Sequence, residues 1–368
     1  MLLIVFCVFI AVVVIQFLYY IVVFGKFSFA KPQTVTPKRV PISVIVCAKN
    51  EEENVKKFVP LLAEQNYHTF EIVLIDDASS DNTLEIFEEF EKQYPNIKLV
   101  KVENNEAFWG NKKFALTLGI KAAKYEYLLF TDADCYPTSK DWITSMSAQF
   151  TQQKNIVLGY GAYEKISNSF LNKIIRFETL LTATQYFAWA KIGKPYMGIG
   201  RNMAYKREEF FKVRGFMDHM KIRSGDDDLF INQAANGDNT TICYLPDSFT
   251  YSTPKTRFKD WFTQKRRHVS TAKHYKLFDR NQLGLFYLSQ LLFILLPIVL
   301  LAFQYQWIAV VSIIGFRYLF AWLTLGFAAG KLKEKDVMYW FPIIEIVLIF
   351  TQLNVFITNT FSKPVHWK

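Results

Sequence analysis

Tyr125-Glu126-Tyr127-Leu128-Leu129-Phe130-Thr131-Asp132-Ala133-Asp134 is the stretch on which the reading of this chain turns. The apolar run before Asp132 reads as a buried strand, so the two carboxylates emerge at its C-terminal edge. In an open α/β sheet that edge is where ligands bind. Carboxylates one residue apart suit a hard cation, Mg2+ or Mn2+, which prefers oxygen ligands and often shares them with a diphosphate. About ninety residues later, Ser224-Gly225-Asp226-Asp227-Asp228-Leu229 sets a second acidic cluster just before an expected helix. One of its carboxylates is a candidate general base. A cation holding a diphosphate, with a separate base, points to transfer of a group from a nucleotide donor.

Upstream, the pattern repeats. After a Pro- and Lys-containing linker, Ile42-Ser43-Val44-Ile45-Val46-Cys47 reads as a buried parallel strand. Asn50-Glu51-Glu52-Glu53-Asn54 opens a helix, with acidic residues suited to its N-terminal dipole. Phe70-Glu71-Ile72-Val73-Leu74-Ile75 is a second strand, ending in Asp76-Asp77-Ala78-Ser79-Ser80-Asp81. A helix over 83–93, a strand over 97–102 and a helix over 113–123 lead to the strand before Asp132. This alternation is that of a doubly wound α/β sheet. Positions 169–191 are helix-like and aromatic, with three readings open: core, a surface lying against membrane, or the wall of an acceptor groove.

The composition adds a membrane part. Of 368 residues, 51% are hydrophobic and 17% aromatic, too apolar for an ordinary soluble domain, and the excess lies at the two ends. Positions 2–24 carry no charge, and a helix of that length spans about 34 Å, enough to cross the hydrocarbon core. Apolar segments at 283–305, 307–329 and 338–360 raise the expected transmembrane helices to four. No basic residue precedes the first segment, and it exceeds the usual signal-peptide core, so it is expected to be an uncleaved anchor. The expected organisation is an anchor (1–25), a linker (26–41), a catalytic domain (42–254), a basic aromatic interfacial segment (255–282), three spans (283–361) and a tail (362–368).

The net charge is +10, and residues 255–280 alone hold nine Lys or Arg against two Asp. Lys26, Lys31, Lys38 and Arg39 follow the first helix. Basic residues beside spans mark the cytoplasmic side, so the middle of the chain is expected in the cytoplasm, where nucleotide donors are made. The charge abuts spans, which makes anionic membrane lipids, and not nucleic acid, the expected partner. Phe258, Trp261, Phe262, Tyr275 and Phe278 are mixed with it, as in an interfacial helix. Cys7, Cys47, Cys135 and Cys243 have no metal-ligand spacing and read as small buried hydrophobes. His219, His274 and His366 are likewise assigned no ligand role.

Acidic pairs at strand ends are also common caps and turn formers, so Asp76-Asp77 or Asp132/Asp134 alone says little. Together with five further segments they carry a specific resemblance. The segments are Val44-Ile45-Val46-Cys47-Ala48-Lys49-Asn50-Glu51, Ile75-Asp76-Asp77-Ala78-Ser79-Ser80-Asp81-Asn82-Thr83, Asn111-Lys112-Lys113-Phe114-Ala115-Leu116, Phe130-Thr131-Asp132-Ala133-Asp134, Gly200-Arg201-Asn202-Met203-Ala204-Tyr205 and Gly225-Asp226-Asp227-Asp228-Leu229, with Gln264-Lys265-Arg266-Arg267-His268 a looser match. In this order, over about residues 42–268, the chain resembles a membrane-bound family-two glycosyltransferase of the GT-A fold.

The resemblance implies roles position by position. Ala48, Glu51 and Asp77 contact the nucleotide base and ribose; Lys112 lies near the donor, with Asn111 where the family has glycine; Asp132 holds the donor and Asp134 the metal. Asn202 falls near the transferred sugar. Asp227 matches the catalytic base, with Asp226 and Asp228 as register alternatives. The implied reaction is an inverting single displacement from a nucleotide-sugar, most commonly a uridine donor in this family, to a lipid or saccharide acceptor. Processive polysaccharide synthases of the family carry tryptophan where this chain has His268, which favours adding one sugar or a few. A processive synthase, or a non-catalytic membrane component of an export complex, are the alternatives. Gln264 and Arg267 are donor-site candidates, with Arg267 set against a default of solvated or lipid-facing charge.

Two charges, Arg317 and Glu345, fall inside expected spans. Charges at that depth are costly and usually paired. Counted from the short loop between their antiparallel spans they stand at similar depth, so a structural ion pair is expected.

Overall fold

The computed structural model describes residues 1–34, 36–103, 112–222 and 224–362. Asn111 and His366, and positions 363–368 of the expected tail, lie outside the described residues. The chain divides into two compact units. One comprises Met1–Lys31, Ile166–Ile192 and the chain from Lys255 onward; the other comprises Pro32–Lys165 and Gly193–Pro254.

The second unit is built on ten strands: β1 (Ile42–Ala48), β2 (Phe70–Asp76), β3 (Ile97–Lys101), β4 (Tyr127–Asp132), β5 (Cys135–Pro137), β6 (Ile156–Leu158), β7 (Gly161–Tyr163), β8 (Met203–Lys206), β9 (Thr240–Ile242) and β10 (Thr250–Ser252). Seven form a sheet in the order β3-β2-β1-β4-β8-β6-β9, and β5-β10-β7 form a second one. Parallel pairing of β3, β2, β1 and β4 follows from their β-branched runs and crossover helices. All seven residues of β1 are buried, as expected of a strand covered on both faces. Val44, Val46, Ile72, Leu74 and Leu129 pack with Val55, Val59 and Phe87 from the helices Glu52–Ala63 and Thr83–Gln93 into one core. Each such side chain contributes about 1.5–3 kcal/mol on burial. β8 runs antiparallel to β4, which makes the sheet mixed.

The strand order reverses between β1 and β4. From β1 the chain steps outward to β2 and β3, then returns to the other side of β1. Such a reversal leaves a crevice outside the C-terminal ends of the central strands. Ala48, Asp76 and Asp132 are the last residues of β1, β2 and β4, and the register sets Ala48 opposite Asp76 and Cys47 opposite Asp132.

Among the described residues, the first unit holds four helices long and apolar enough to cross a membrane: Leu2–Ser28, Leu277–Ala302, Trp307–Lys331 and Lys335–Phe361. The first passes through a π-helical stretch at Leu18–Phe24. Phe9 stacks on Phe293, and Tyr20 and Phe24 meet Phe286 edge-on. Arg317 and Glu345 form the expected ion pair, a two-pronged one: Nη1 donates to Oε2 and Nη2 to Oε1, both at 2.6 Å. Gln16, Tyr20 and Gln290 complete the cluster, Gln16 accepting from Arg317 Nε, and Tyr20 and Gln290 donating to Glu345 Oε1.

The helix Phe170–Lys191 belongs to this unit, whereas the sequence placed it within a continuous 42–254 domain. Its apolar residues run round most of its surface, and Phe177, Phe187 and Trp189 contact Phe341, Phe27 and Phe278. Of the three readings left open for it, core applies. Its Arg176, also buried, holds Glu334 and Asp336. Trp261, grouped by the sequence with interfacial aromatics, is fully buried.

Candidate functional site

The two loops that follow β1 and β2 are stitched together. Asn50, in the left-handed region at φ 56°, accepts from the backbone N–H of Ser80 at 2.7 Å and donates its own N–H to Ser79 Oγ. Asp81 accepts from the Glu52 N–H, and Thr83 Oγ1 accepts from the Glu51 N–H at 2.9 Å. The Asp77 N–H donates to the Ala48 carbonyl at 2.9 Å. Ala48, Glu51 and Asp77 are thereby brought to one corner of the sheet edge. Glu51 Oε2 accepts from Asn54 Nδ2. Asp77 is buried, and that burial raises its pKa.

Lys112 opens the helix Lys112–Ala122 and joins the two acidic clusters. Its Nζ lies 2.6 Å from Asp132 Oδ1 and 3.1 Å from Asp226 Oδ2. Burial on its own lowers a lysine, but the charges of Asp132 and Asp226 win and hold this ammonium well above its ordinary value. Ligand atoms of Asp132, Asp134 and Cys135 all lie within 4.8 Å of one another. The Cys135 thiol donates to Asp134 Oδ1 at 3.3 Å and is kept protonated by burial. The anionic donors of this group are therefore carboxylate oxygens, which suit a hard divalent cation.

The triplet is sorted by its surroundings. Gly225 sits at φ +88°, where a Cβ would fall 2.6 Å from the Leu229 side chain, and its lack of one lets the chain turn into the helix Asp228–Ala234. Burial raises Asp226, but the Lys112 charge and hydrogen bond outweigh it and hold this carboxyl below its usual range. Asp227 Oδ2 accepts from the Gly200 N–H at 2.7 Å, and Oδ1 from the Asp228 N–H at 2.8 Å. Burial, then the like charges of Asp226 and Asp228, pushes Asp227 up to about 7. Asp228 is buried, and its Oδ1 accepts from the Leu229 N–H.

Asn202, in the segment expected near the transferred sugar, turns its side chain inward. It is fully buried, its Nδ2 donating to the carbonyls of Tyr160 and Ser248 and its Oδ1 accepting from Trp142 Nε1 at 3.1 Å. Gly159 packs against it so closely that a Cβ there would fall 2.6 Å from its Cγ. The side chain is committed inward and fixes the segment on which Gly200 and Arg201 are presented. Gln264 and Arg267 lie in the other unit, both half-buried on the helix Phe258–Val269. There the neighbouring Lys265 pairs with Glu178, and Arg266 donates to Asn359 and Ser362.

Two residues of this edge carry no role from the sequence. Arg201 stacks its guanidinium 4.2 Å from the Tyr163 ring centroid and donates to the Gly161 and Ala162 carbonyls and Ser252 Oγ. Partial desolvation and the Asp132 charge raise the Asp134 carboxyl, and the Arg201 charge offsets only part of that rise, though Asp134 itself reaches the surface. Lys113, next to Lys112, is also buried. The available signal was the doubled lysine and the arginine inside the 200–205 segment.

The family model described as glycosyl transferase family 2 matches residues 43–227, half of the chain. A 93-residue stretch is 41% identical to the poly-β-1,6-N-acetyl-D-glucosamine synthase of Staphylococcus epidermidis, covering 25% of this chain and 21% of that protein. The probable glycosyltransferase YdaM of Bacillus subtilis is 25% identical over 240 residues, 62% of this chain and 55% of that protein. The chain thus spans between about a fifth and about half of the length of these relatives. Among solved structures, the mannosyltransferase PcManGT from Pyrobaculum calidifontis, in complex with GDP-Man and Mn2+, aligns over 95% of this chain and 99% of that one. Its TM-score of 0.61 at 18% identity is a likeness of fold, the GT-A arrangement of a nucleotide-binding sheet. On the family match over 43–227, this chain belongs to glycosyl transferase family 2.

Proposed function

We propose that the protein is a membrane-bound inverting glycosyltransferase that moves one sugar, or a few, from a nucleotide-sugar to a lipid or saccharide acceptor. The single observation that carries the reading is Lys112, whose ammonium touches both Asp132 and Asp226. It makes one site of two carboxylate clusters far apart in the chain. Ala48, Glu51 and Asp77 are assigned to the base and ribose, with uridine the favoured nucleotide. Asp132 and Lys112 are assigned to the donor, and Asp134, with Asp132 beside it, to Mg2+ or Mn2+. Such an ion, when bound, neutralises charge on the departing diphosphate.

Asp227 is assigned the base. Its carboxylate takes the proton of an acceptor hydroxyl as that oxygen bonds to the anomeric carbon, on the face opposite the breaking bond to the diphosphate. The Gly200 N–H holds the carboxylate in place. Gln264 and Arg267 remain candidates for donor contact. A cytoplasmic catalytic unit and an anionic lipid surface are supported by the exposed Lys255, Arg257, Lys259, Lys273, Lys276 and Arg280, which lie beside exposed Phe258, Leu277 and Phe278. The likeness to a polysaccharide synthase over 93 residues favours a second reading, processive extension, against which His268 stands.

The protein in nanodiscs, given a panel of radiolabelled nucleotide-sugars, is expected to turn over one donor class with Mg2+ or Mn2+ and to stop on chelation. Label is expected in lipid-extractable or short saccharide product; long polymer would establish the processive reading instead. Protein that binds a donor but transfers nothing to lipid, saccharide or water, with either ion, would overturn the proposal.

A further inference from the structure

Lys113 Nζ donates to three backbone carbonyls, those of His219, Ile222 and Ser224, each at 2.8 Å. The side chain is 1% exposed. All three carbonyls belong to the segment that runs through Gly225 into Asp226. Its neighbour Lys112 holds Asp226 by the side chain. Two consecutive lysines at one helix start thus grip the same acidic segment, one by charge and one by backbone.

We propose that Lys113 is a positioning residue for sugar transfer: its ammonium pins the backbone at His219, Ile222 and Ser224 and thereby sets where Asp226, Asp227 and Asp228 stand. The inference rests on reading that triplet as the source of the base. An ammonium has three N–H donors to offer these carbonyls. A neutral amine has two donors and a lone pair, so one carbonyl loses its donor and faces the lone pair. The charged groups facing Lys113 are Asp226, Asp228 and Asp227, all of which raise its pKa, yet burial prevails and lowers it to about 8. Loss of the pin accordingly falls within the range of an ordinary assay.

Two readouts separate the pin from its catalytic consequence. Amide exchange over 217–228, corrected for intrinsic rates, is expected to quicken about tenfold in the wild type between pH 7 and pH 9.5, the loss of one charge-assisted hydrogen bond. Lys113→Arg, which stays charged, is expected to abolish that pH step, and Lys113→Met to exchange fast throughout. In turnover, Lys113→Met is expected to lose about 10- to 100-fold in kcat with little change in donor KM, as a misplaced base does. If Lys113→Met fails to fold, the pH step and its absence in Lys113→Arg decide alone. Exchange that ignores both substitution and pH overturns the pin. Exchange that responds while kcat does not overturns Lys113's part in transfer and leaves the base assignment to be judged by Asp227→Asn.

Discussion

Three adjacent aspartates share one backbone turn, yet their chemistry differs because each meets different neighbours. Asp226 is spoken for by Lys112 and stays ionised, while Asp228 turns to the Leu229 N–H at the start of its own helix. Asp227 is left with its charge opposed by burial and by both neighbours, which brings its pKa to about 7. A base works best with a pKa near the operating pH. A protonated Asp227 cannot accept a proton, so kcat/KM is expected to rise with pH through about 7. Asp227→Asn is expected to keep donor affinity in calorimetry and lose about 10²–10⁴-fold in kcat. If Asp226→Asn is the inactive one and Asp227→Asn retains turnover, the assignment moves. Asn202 makes a contrasting case. Asn202→Ala strands two carbonyls and an indole N–H in the core, each costing about 1–3 kcal/mol, so a lowered Tm is expected before any effect on KM. The family resemblance singled out both residues. It had no means to tell an inward-facing amide from a ligand-facing one, because that depends on Trp142, Tyr160 and Ser248 arriving from elsewhere.

The elements were the most legible level. β1 and β2 are runs of β-branched and aliphatic residues, each ending in the polar turn that the sequence marks; the helix after β1 begins on Glu52 and Glu53, and the one after β2 on Thr83 with Glu85 in its first turn, as the dipole favours. What the runs do not announce is the bond between turns. The Asn50, Ser79, Ser80, Glu52 and Asp81 contacts cross about thirty residues and depend on β1 and β2 lying in register. The same holds for Lys113, which sequence reads as one more basic residue on a helix. The short strands β5, β7 and β10, three residues each, were illegible, since pairing with one another rather than propensity defines them.

Across the whole molecule, hydropathy located the four long apolar helices, and the charges stranded within them located their own partner. Arg317 is buried with Glu345 and has Gln16, Phe293 and Tyr318 around its guanidinium. Removing one member of a buried pair is strongly destabilising, by about 3–5 kcal/mol, whereas replacing both with apolar groups is often neutral. Glu345→Gln and Arg317→Gln are each expected to lower the Tm in detergent, and Arg317→Met with Glu345→Leu to recover most of it; two singles of opposite effect would dissolve the pairing. The ownership of Phe170–Lys191 was not legible, because an apolar helix advertises burial without naming what buries it.

That helix has a genetic corollary. The sheet-bearing unit is drawn from two stretches of chain, with Ile166–Ile192 of the other unit between them. Recombination that swaps a contiguous cassette from Pro32 to Pro254 into another anchor would carry along a buried Arg176 stripped of Glu334 and Asp336. Such a contiguous transplant is expected to be destabilised by that one misplaced cation.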